Sequence, residues 1–330
     1  MRCALPVSCR NVAAHVGVLL VLALPLQPVD ARPQAAVPAS AVVQSGIDVD
    51  QLVTRFLATA EEYEKTFRNL TAEETKIIEV YQASGKIEKR RHIVSDLLVY
   101  PSSRDGSDAT VEYRDVGSVD GKAVERRGER ALKLLMNAPT ADSLEKELEA
   151  INRETRRYEF NFHLKGFTIS QGGVLKRSRG AFRVQWVGRE QVAGHDVVVL
   201  DYEQTAPIPG AFSLRVPKEF GTPSALSRGR IWLDAQTGQL WRDVWELVVR
   251  HPATPDPLVM THRESTYTPS DFGILVPERI VFDWLLHFSH PKNGRPSFTL
   301  SERTTFTYGS FKRFEVATSE KVKLPEAHHR

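Results

Sequence analysis

The stretch RIWLDAQTGQLWRDVWEL runs from Arg230 to Leu247 and contains three of the five tryptophans of the chain. Its middle part, Asp234–Gly238, favours a turn, because an Asp side chain bonds to the backbone that follows it and Gly adopts a positive φ at no steric cost. The next part, Leu240–Val249, alternates between a more apolar and a more polar side, which is typical of a strand with one buried face. We therefore predict an antiparallel hairpin with Trp245 on its buried face.

The first residues predict a secretory signal peptide. A basic start precedes the apolar run Val12–Leu26, and Val29–Ala31 supplies the small residues that precede a cleavage site. We predict a signal peptide at residues 1–31, cleaved after Ala31, with Ala41 as the second choice. The alternative is an N-terminal membrane anchor, for which the apolar run is short of the ~20 residues required. We therefore expect an exported protein, periplasmic or extracellular, whose contact with a membrane is at most peripheral.

The composition excludes several classes of protein. The 44 basic and 41 acidic residues give a formal net charge of +3, whereas a nucleic-acid-binding protein usually has a strong basic excess. The chain has 2 cysteines, Cys3 and Cys9, and both lie in the predicted signal peptide. The mature chain is therefore expected to have no disulfide, no thiolate nucleophile and no cysteine-bound metal. We predict no cofactor and no nucleic-acid partner.

The rest of the chain is predicted to form one domain, residues 47–318. Residues 32–46 are rich in Ala, Pro, Val, Gln and Ser without a period, which predicts a flexible linker, and residues 319–330 are predicted to be a disordered tail. Asp48 is the predicted N-cap of a helix, and a charged helical insert is expected near residues 129–158. The residues at helical spacing that predict the buried face of the first helix are Leu52, Phe56, Tyr63 and Phe67.

The segments outside these helices alternate with the period of two that marks strands. Hairpins are predicted within residues 77–100, and most of the chain after Phe160 is expected to be strand, separated by short turns. The strands predicted in this part are residues 182–187, 197–203, 230–234, 240–249, 258–267, 273–288 and 298–308. Many strands joined by short turns indicate an antiparallel sheet, and strand 273–288 is long enough to suggest a large, curved one.

No motif in the sequence indicates a catalytic or metal site. The chain contains neither a Gly-x-Ser-x-Gly nucleophile elbow nor a His-Glu-x-x-His zinc motif. The acidic residues of the strands are explained as solvent-facing positions. His287, His290 and Asp283 are close enough in sequence to converge on a metal, but positions at the rim of the sheet are the simpler explanation. We predict no catalytic residue, no metal and no enzyme.

The aromatic residues are the more informative signal. They are concentrated in the predicted strands, where they either fill a core or line an apolar cavity between the sheet and the helices. Residues that share the apolar stripe of strand 273–288, together with two tryptophans of the hairpin, are the candidate wall of that cavity. The candidate ligand-binding residues are Trp232, Trp245, Phe282, Trp284, Leu286 and Phe288.

Three stretches resemble a known family. RGRIWLDAQTGQLWRDVWEL, VAGHDVVVLDYEQ at residues 192–204 and FGILVPERIVF at residues 272–282 are similar to periplasmic lipoprotein-carrier and outer-membrane lipoprotein-receptor proteins. The resemblance covers about residues 48–316. It implies an α+β fold, a large curved antiparallel sheet forming an incomplete β-barrel with helices packed on its concave side. In that family the arrangement shelters acyl chains.

Two functions follow as expectations from the residues and from this resemblance. The first is an exported, non-enzymatic bacterial protein that binds a lipid, an acyl chain or another apolar ligand between sheet and helices. The second is an envelope protein–protein interaction or assembly module with the same fold and a filled core, whose partner is another envelope protein. An internal cavity favours the first function, and a fully packed interior favours the second.

Overall fold

The computed structural model describes residues 46–68, 70–102, 109–125, 130, 141–162, 168–206, 208, 225–252, 254–289 and 294–313. The chain divides into two units, Met1–Ser45 and Gly46–Arg330, and every described residue belongs to the second. The predicted signal peptide, nearly all of the predicted linker and the predicted tail therefore lie outside the described residues. So does the first part of the predicted helical insert, except for residue 130.

The first of the described helices begins where the sequence predicts it, the second lies within residues 129–158, and the third has no counterpart in the prediction. They are α1 Val49–Phe67, α2 Ala141–Thr155 and α3 Gly173–Arg177, with single 3₁₀ turns at Arg156–Tyr158 and Arg179–Ala181. Asp48 is the N-cap of α1, because its Oδ1 accepts a hydrogen bond of 3.0 Å from the backbone N–H of Gln51. Such a cap satisfies a backbone donor that the helix itself leaves unpaired.

Thirteen strands complete the described part of the chain. In chain order they are β1 Leu70–Tyr81, β2 Ile87–Ser102, β3 Ala109–Val119, β4 Lys122–Ala123, β5 Phe182–Val192, β6 His195–Gln204, β7 Ala225–Asp234, β8 Leu240–Val249, β9 Leu258–Pro269, β10 Leu275–Trp284, β11 His287–Ser289, β12 Ser297–Thr299 and β13 Glu302–Arg313. Eleven of them form one antiparallel sheet in the order β4-β3-β2-β1-β13-β10-β9-β8-β7-β6-β5. The two end strands, β4 and β5, do not pair with each other, so the sheet is not closed into a barrel. This is the α+β incomplete-barrel class that the sequence predicts.

Helix α1 covers one face of the sheet, which is called the inner face below. The predicted stripe of α1 is buried, with Leu52 and Phe56 at 0% exposure and Tyr63 at 2%. The helix approaches the β7–β8 turn closely at Gly238, whose φ is +76° and where a Cβ would lie 2.9 Å from the backbone N of Phe56. Only glycine combines this backbone angle with this approach, which explains the Gly in the hairpin turn.

Helix α2 packs at the other side of the sheet, on strands β2 and β3. Its buried residues Leu148 and Ile151 contact Leu98 and Tyr113. Leu98 and Tyr113 are paired in register, and side chains alternate along a strand, so both lie on the face opposite to α1. This face is called the outer face below. Among the charged residues of α2, Lys146 and Glu147 are exposed.

One predicted strand is shorter than expected. The sequence predicts a single strand over 273–288, but β10 ends at Trp284, and the backbone N–H of Leu285 donates to the carbonyl of Met260 at 2.8 Å. The chain then enters a separate two-stranded sheet, β11 with β12. The apolar stripe expected to continue through Leu286 and Phe288 therefore leaves the inner face after Trp284.

Candidate functional site

The inner face contains buried charges as well as apolar side chains. Arg114, 5% exposed, lies between two carboxylates: its Nε donates to Glu74 at 2.8 and 2.9 Å, and its Nη2 lies 2.8 Å from Oε2 of Glu112. Glu74 is 0% exposed and Glu112 is 2% exposed. Burial works against the charge of Arg114, but the two carboxylates outweigh it and raise its pKa. A guanidinium satisfies two acids here because its donors form a planar fork.

This charged group holds a strap over the inner face. The strap, defined as residues 168–177, includes α3. The backbone N–H of Ile169 donates to Glu112 at 2.8 Å, and the carbonyl of Ile169 accepts from Tyr63 Oη of α1 at 2.9 Å. The hydroxyl of Thr168 also donates to Glu112, at 2.5 Å. The strap is thus docked by polar bonds from two different elements, and Ile169 is 0% exposed.

A cavity of about 150 Å³ lies between the strap and the sheet. Three of its lining residues, Trp245, Arg263 and Phe282, stand side by side on β8, β9 and β10, because Trp245 pairs with Arg263 and Arg263 with Phe282. The rest of its lining is Ser170, Gly172, Gly173, Arg177, Tyr202 and Asp243. A cavity of this size in an apolar protein core is large enough for a benzene ring, while pockets for drug-sized ligands are roughly 300–1,000 Å³.

Strand β7 makes room for this cavity. Gly229 stands in the same row as Trp245, and a Cβ on it would lie 2.1 Å from the carbonyl O of Val244 and 2.5 Å from Oη of Tyr202. The Tyr202 ring therefore reaches over the position that a side chain of residue 229 would take. Tyr202 and Trp245 face each other across a glycine, and the cavity has an aromatic wall on both sides.

The polar part of the cavity is a buried ion pair. Nη1 of Arg263 lies 3.2 Å from Oδ2 of Asp243, and the side chains are 10% and 7% exposed. Burial raises the pKa of Asp243, and the opposing effect of Arg263 does not cancel it. Burial likewise raises the pKa of Tyr267, four residues from Arg263 along β9, to about 12, so this phenol stays neutral at physiological pH. The guanidinium of Arg263 also lies over the Phe282 ring, with Cζ 5.6 Å from the ring centroid.

The structure brings together only part of the predicted cavity wall. Trp245 and Phe282 line the cavity, and Trp284 shares their face but stacks on Phe162 with ring centroids 4.5 Å apart. Trp232 lies on the outer face, because it pairs with Arg242; its Nε1 donates to Glu190 at 2.9 Å. Leu286 and Phe288, the two predicted wall residues beyond the end of β10, pack in a separate cluster with Val249, Met260 and Phe298.

Sequence analysis missed the charged residues of the site. Asp243 falls on the apolar side of its strand and was grouped with the solvent-facing acids, yet it is 5% exposed. Arg263 and Tyr202 received no role. The available signal was the position of Asp243 between Trp241 and Trp245 on the buried side, since a charge at such a position needs a buried partner. The sequence does not say which strand supplies that partner.

The outer face carries a row of alternating charges, called the charge ladder below. One residue from each of nine neighbouring strands takes part, and each is paired in register with the next. In sheet order the row is Arg183, Glu203, Arg228, Glu246, His262, Asp283, Arg303, Glu79 and Arg90. Opposite charges on neighbouring strands stabilise their pairing by about 0.2–1 kcal/mol each, so the ladder helps to fix the register of the sheet.

His262 is the ladder residue whose charge changes near neutral pH. Its Nδ1 lies 3.4 Å from Oε1 of Glu246, and this hydrogen bond raises the pKa of His262, while burial opposes it and Asp283 and Glu264 add to it. The same bond lowers the pKa of Glu246, with Arg228 acting in the same direction. Both groups are thus stabilised in their charged forms.

A larger groove of about 450 Å³ lies on the outer face over β5–β8. Its arginines are all engaged: Arg183 Nη2 lies 2.7 Å from Glu203, Arg228 Nε lies 2.7 Å from Glu246, and Arg230 Nε lies 2.6 Å from Asp201. These charges neutralise one another, and Tyr202 is the one aromatic residue among the described residues that line the groove, so its size alone does not make it the better ligand site. The inner cavity combines aromatic walls with few polar groups, as ligand sites do.

Other expectations about sites concern metals and membranes. Within the described ranges, no group of three or more His, Cys, Asp or Glu residues is arranged to hold a metal ion. Nε2 of His287 lies 2.7 Å from the backbone carbonyl of Tyr81, and His290 lies outside the described residues. None of the helices in the described part is long and apolar enough to cross a membrane.

Neither a protein-family model nor a curated protein matches the chain. Solved structures are similar to it at low sequence identity. A DUF1329 family protein from Desulfovibrio piger is 11% identical, with a TM-score of 0.35 over 79% of this chain and 92% of that one. A LolA superfamily protein from Nitrosomonas europaea is 10% identical, with a TM-score of 0.29 over 79% and 92%. A putative outer membrane lipoprotein-sorting protein domain from Vibrio parahaemolyticus is 12% identical, with a TM-score of 0.30 over 78% and 91%. The second and third of these structures are of the LolA and lipoprotein-sorting type that the sequence resembles, and the likeness concerns the fold alone.

Proposed function

We propose that this protein is an exported, non-enzymatic binding protein that takes the apolar end of a lipid or another amphipathic ligand into the inner cavity. The observation that supports this most is the cavity itself, with Trp245 and Phe282 on the sheet, Tyr202 opposite them and the strap as its roof. Aromatic walls with one polar corner suit a ligand that is apolar along most of its length.

Binding at this site is driven by desolvation. Each CH₂ group that leaves water contributes about 0.8 kcal/mol, so a ring or a few methylenes gain several kcal/mol before the entropic cost of binding. The volume of about 150 Å³ accepts only one end of a longer chain. A full acyl chain therefore requires the strap to move outward, and the strap contains two glycines, Gly172 and Gly173, with φ of +71° and +32°, whose backbone is open to more conformations than that of other residues.

The test uses a neutral brominated probe, because bromine quenches the fluorescence of a tryptophan in contact with it. We expect 4-bromobenzyl alcohol to quench saturably in the wild-type chain. The saturable part should be lost in Trp245→Leu and kept in Trp232→Leu, the matched control on the outer face. Circular dichroism checks that both variants are folded. Absence of saturable quenching, or its persistence in Trp245→Leu, would contradict the proposed site.

The second candidate function is a protein–protein interaction module of the bacterial envelope. It is favoured by two observations: most of the inner face is filled by packed side chains and ion pairs, and the larger groove lies on the outer face. The same experiment separates the two candidates. A chain that takes up no apolar probe supports the interaction module and removes the support for ligand binding.

A further inference from the structure

The cavity has one polar corner in which positive charge exceeds negative charge. Arg263 lines it, and its side chain is 10% exposed. Nη1 of Arg263 is bonded to Asp243 at 3.2 Å and Nη2 to the carbonyl of Ser170 at 3.5 Å. Nε of Arg263 is fully buried and is therefore not an atom that a ligand in the cavity reaches. The guanidinium contributes its positive charge to the cavity lining rather than an unpaired donor.

The rim of the cavity adds a second positive charge. Arg177, at the end of the strap, is exposed and lines the same cavity. Among the described residues no ion pair of Arg177 with a carboxylate is found, unlike the arginines of the outer groove. Two arginines and one aspartate give the lining a net charge of +1. A ligand group that carries negative charge balances this excess and accepts hydrogen bonds from a guanidinium.

On the premise of the proposed function, we propose that the ligand is an amphiphile with an acidic head group, a carboxylate or a phosphate monoester. Its head group lies at the corner formed by Arg263 and Arg177, and its apolar end lies between Trp245 and Phe282. The ion pair with Asp243 holds Arg263 in place, because it fixes Nη1. A neutral amphiphile gains the apolar contacts only.

Three probes separate this inference from the proposed function. They are 4-bromobenzoate, the neutral 4-bromobenzyl alcohol with the same ring, and inorganic phosphate. Dissociation constants of the full chain are measured by titration followed by ligand-observed NMR. We expect both ring compounds to bind, with 4-bromobenzoate about tenfold tighter, the lower end of what a hydrogen bond to a charged group contributes. Phosphate alone should compete weakly, since it lacks the apolar part.

The variants test which residue gives the preference. Arg177→Gln should lower the preference for 4-bromobenzoate to about threefold or less and leave the affinity for the alcohol unchanged, whereas Arg177→Lys should retain it. Arg279→Gln is the matched control, because Arg279 is an exposed arginine on the outer face. Since Arg177 is exposed, these variants are expected to fold like the wild type, which circular dichroism verifies.

Each remaining outcome overturns a defined statement. Equal binding of the two ring compounds overturns the acidic head group and leaves the proposed function standing. Binding of neither ring compound overturns the proposed function, and the inference with it. Competition by phosphate at the concentrations at which 4-bromobenzoate binds overturns the amphiphile and identifies a site for small anions. A preference that Arg177→Gln does not change overturns the role of Arg177.

Discussion

Replacement of Arg114 by Met tests whether the inner face is held together by buried charge. Arg114 is the guanidinium between Glu74 and Glu112, and the side chains of all three are at most 7% exposed. Met has a similar length and is apolar, so Arg114→Met removes the charge and its donors with a small change in volume. The two carboxylates are then left buried side by side without a cation.

The expected loss of stability follows from that arrangement. Removing one partner of a buried ion pair costs about 3–5 kcal/mol, because the remaining charge stays out of water. Two carboxylates lose the same partner here, so we expect the upper half of that range, about 4–5 kcal/mol. With a urea m-value of about 3 kcal/mol/M for a domain of this size, the midpoint of unfolding should fall by about 1.5 M. Urea unfolding followed by circular dichroism measures it.

The outer face offers a matched control. Arg183 and Glu203 form an ion pair of 2.7 Å whose side chains are 58% and 49% exposed. Arg183→Met should therefore cost less than about 1 kcal/mol, as exposed pairs do. If Arg114→Met costs no more than Arg183→Met, the carboxylates of the inner face are not sequestered from water, and the description of the strap as docked by buried charge is wrong.

Three further predictions concern other parts of the fold. Gly229→Ala places a Cβ 2.1 Å from the carbonyl O of Val244, which cannot move without breaking the sheet, so thermal unfolding should show a loss of about 3 kcal/mol or more. His262→Gln should lower the free energy of unfolding by about 0.5 kcal/mol below pH 6.5, where the histidine is charged in both the folded and the unfolded state. Because the pKa of His262 is raised in the folded state, the difference in stability between wild type and variant should vanish as the pH rises through that pKa. Below pH 4.5 the same difference should shrink as Glu246 becomes protonated. A difference that grows with pH would contradict this sign. Asp48→Ala should cost about 1 kcal/mol in urea unfolding, and a neutral result would mean that the N-cap bond to α1 is not formed.

Local patterns were sufficient to predict several elements of this fold, but neither α3 nor the end of β10 at Trp284. The period of α1, its cap at Asp48 and the turn at Asp234–Gly238 all depend on residues within a few positions of one another, and each is found where it was predicted. Strand β8, Leu240–Val249, has the predicted bounds. These signals are local because a helix cap, a tight turn and strand alternation are set by neighbouring residues.

The site depends on register, which local patterns do not contain. Trp232 is on the outer face because the β7–β8 register sets it opposite Arg242. A shift of one residue in pairing moves a side chain to the other face, so the face of Trp232 could not be read from its own strand. In the same way, the partners Glu74 and Arg114 are 40 residues apart, and nothing near either one indicates the other.

The central claim is that the inner cavity holds the ligand, and a crystal structure of the full chain soaked with 4-bromobenzoate tests it most directly. The anomalous signal of bromine locates the ring without reference to any assumed pose. We predict a bromine peak between Trp245 and Phe282, with the carboxylate oriented towards Arg263 and Arg177. A bromine peak only in the outer groove, or none at a concentration that saturates binding in solution, would contradict the claim.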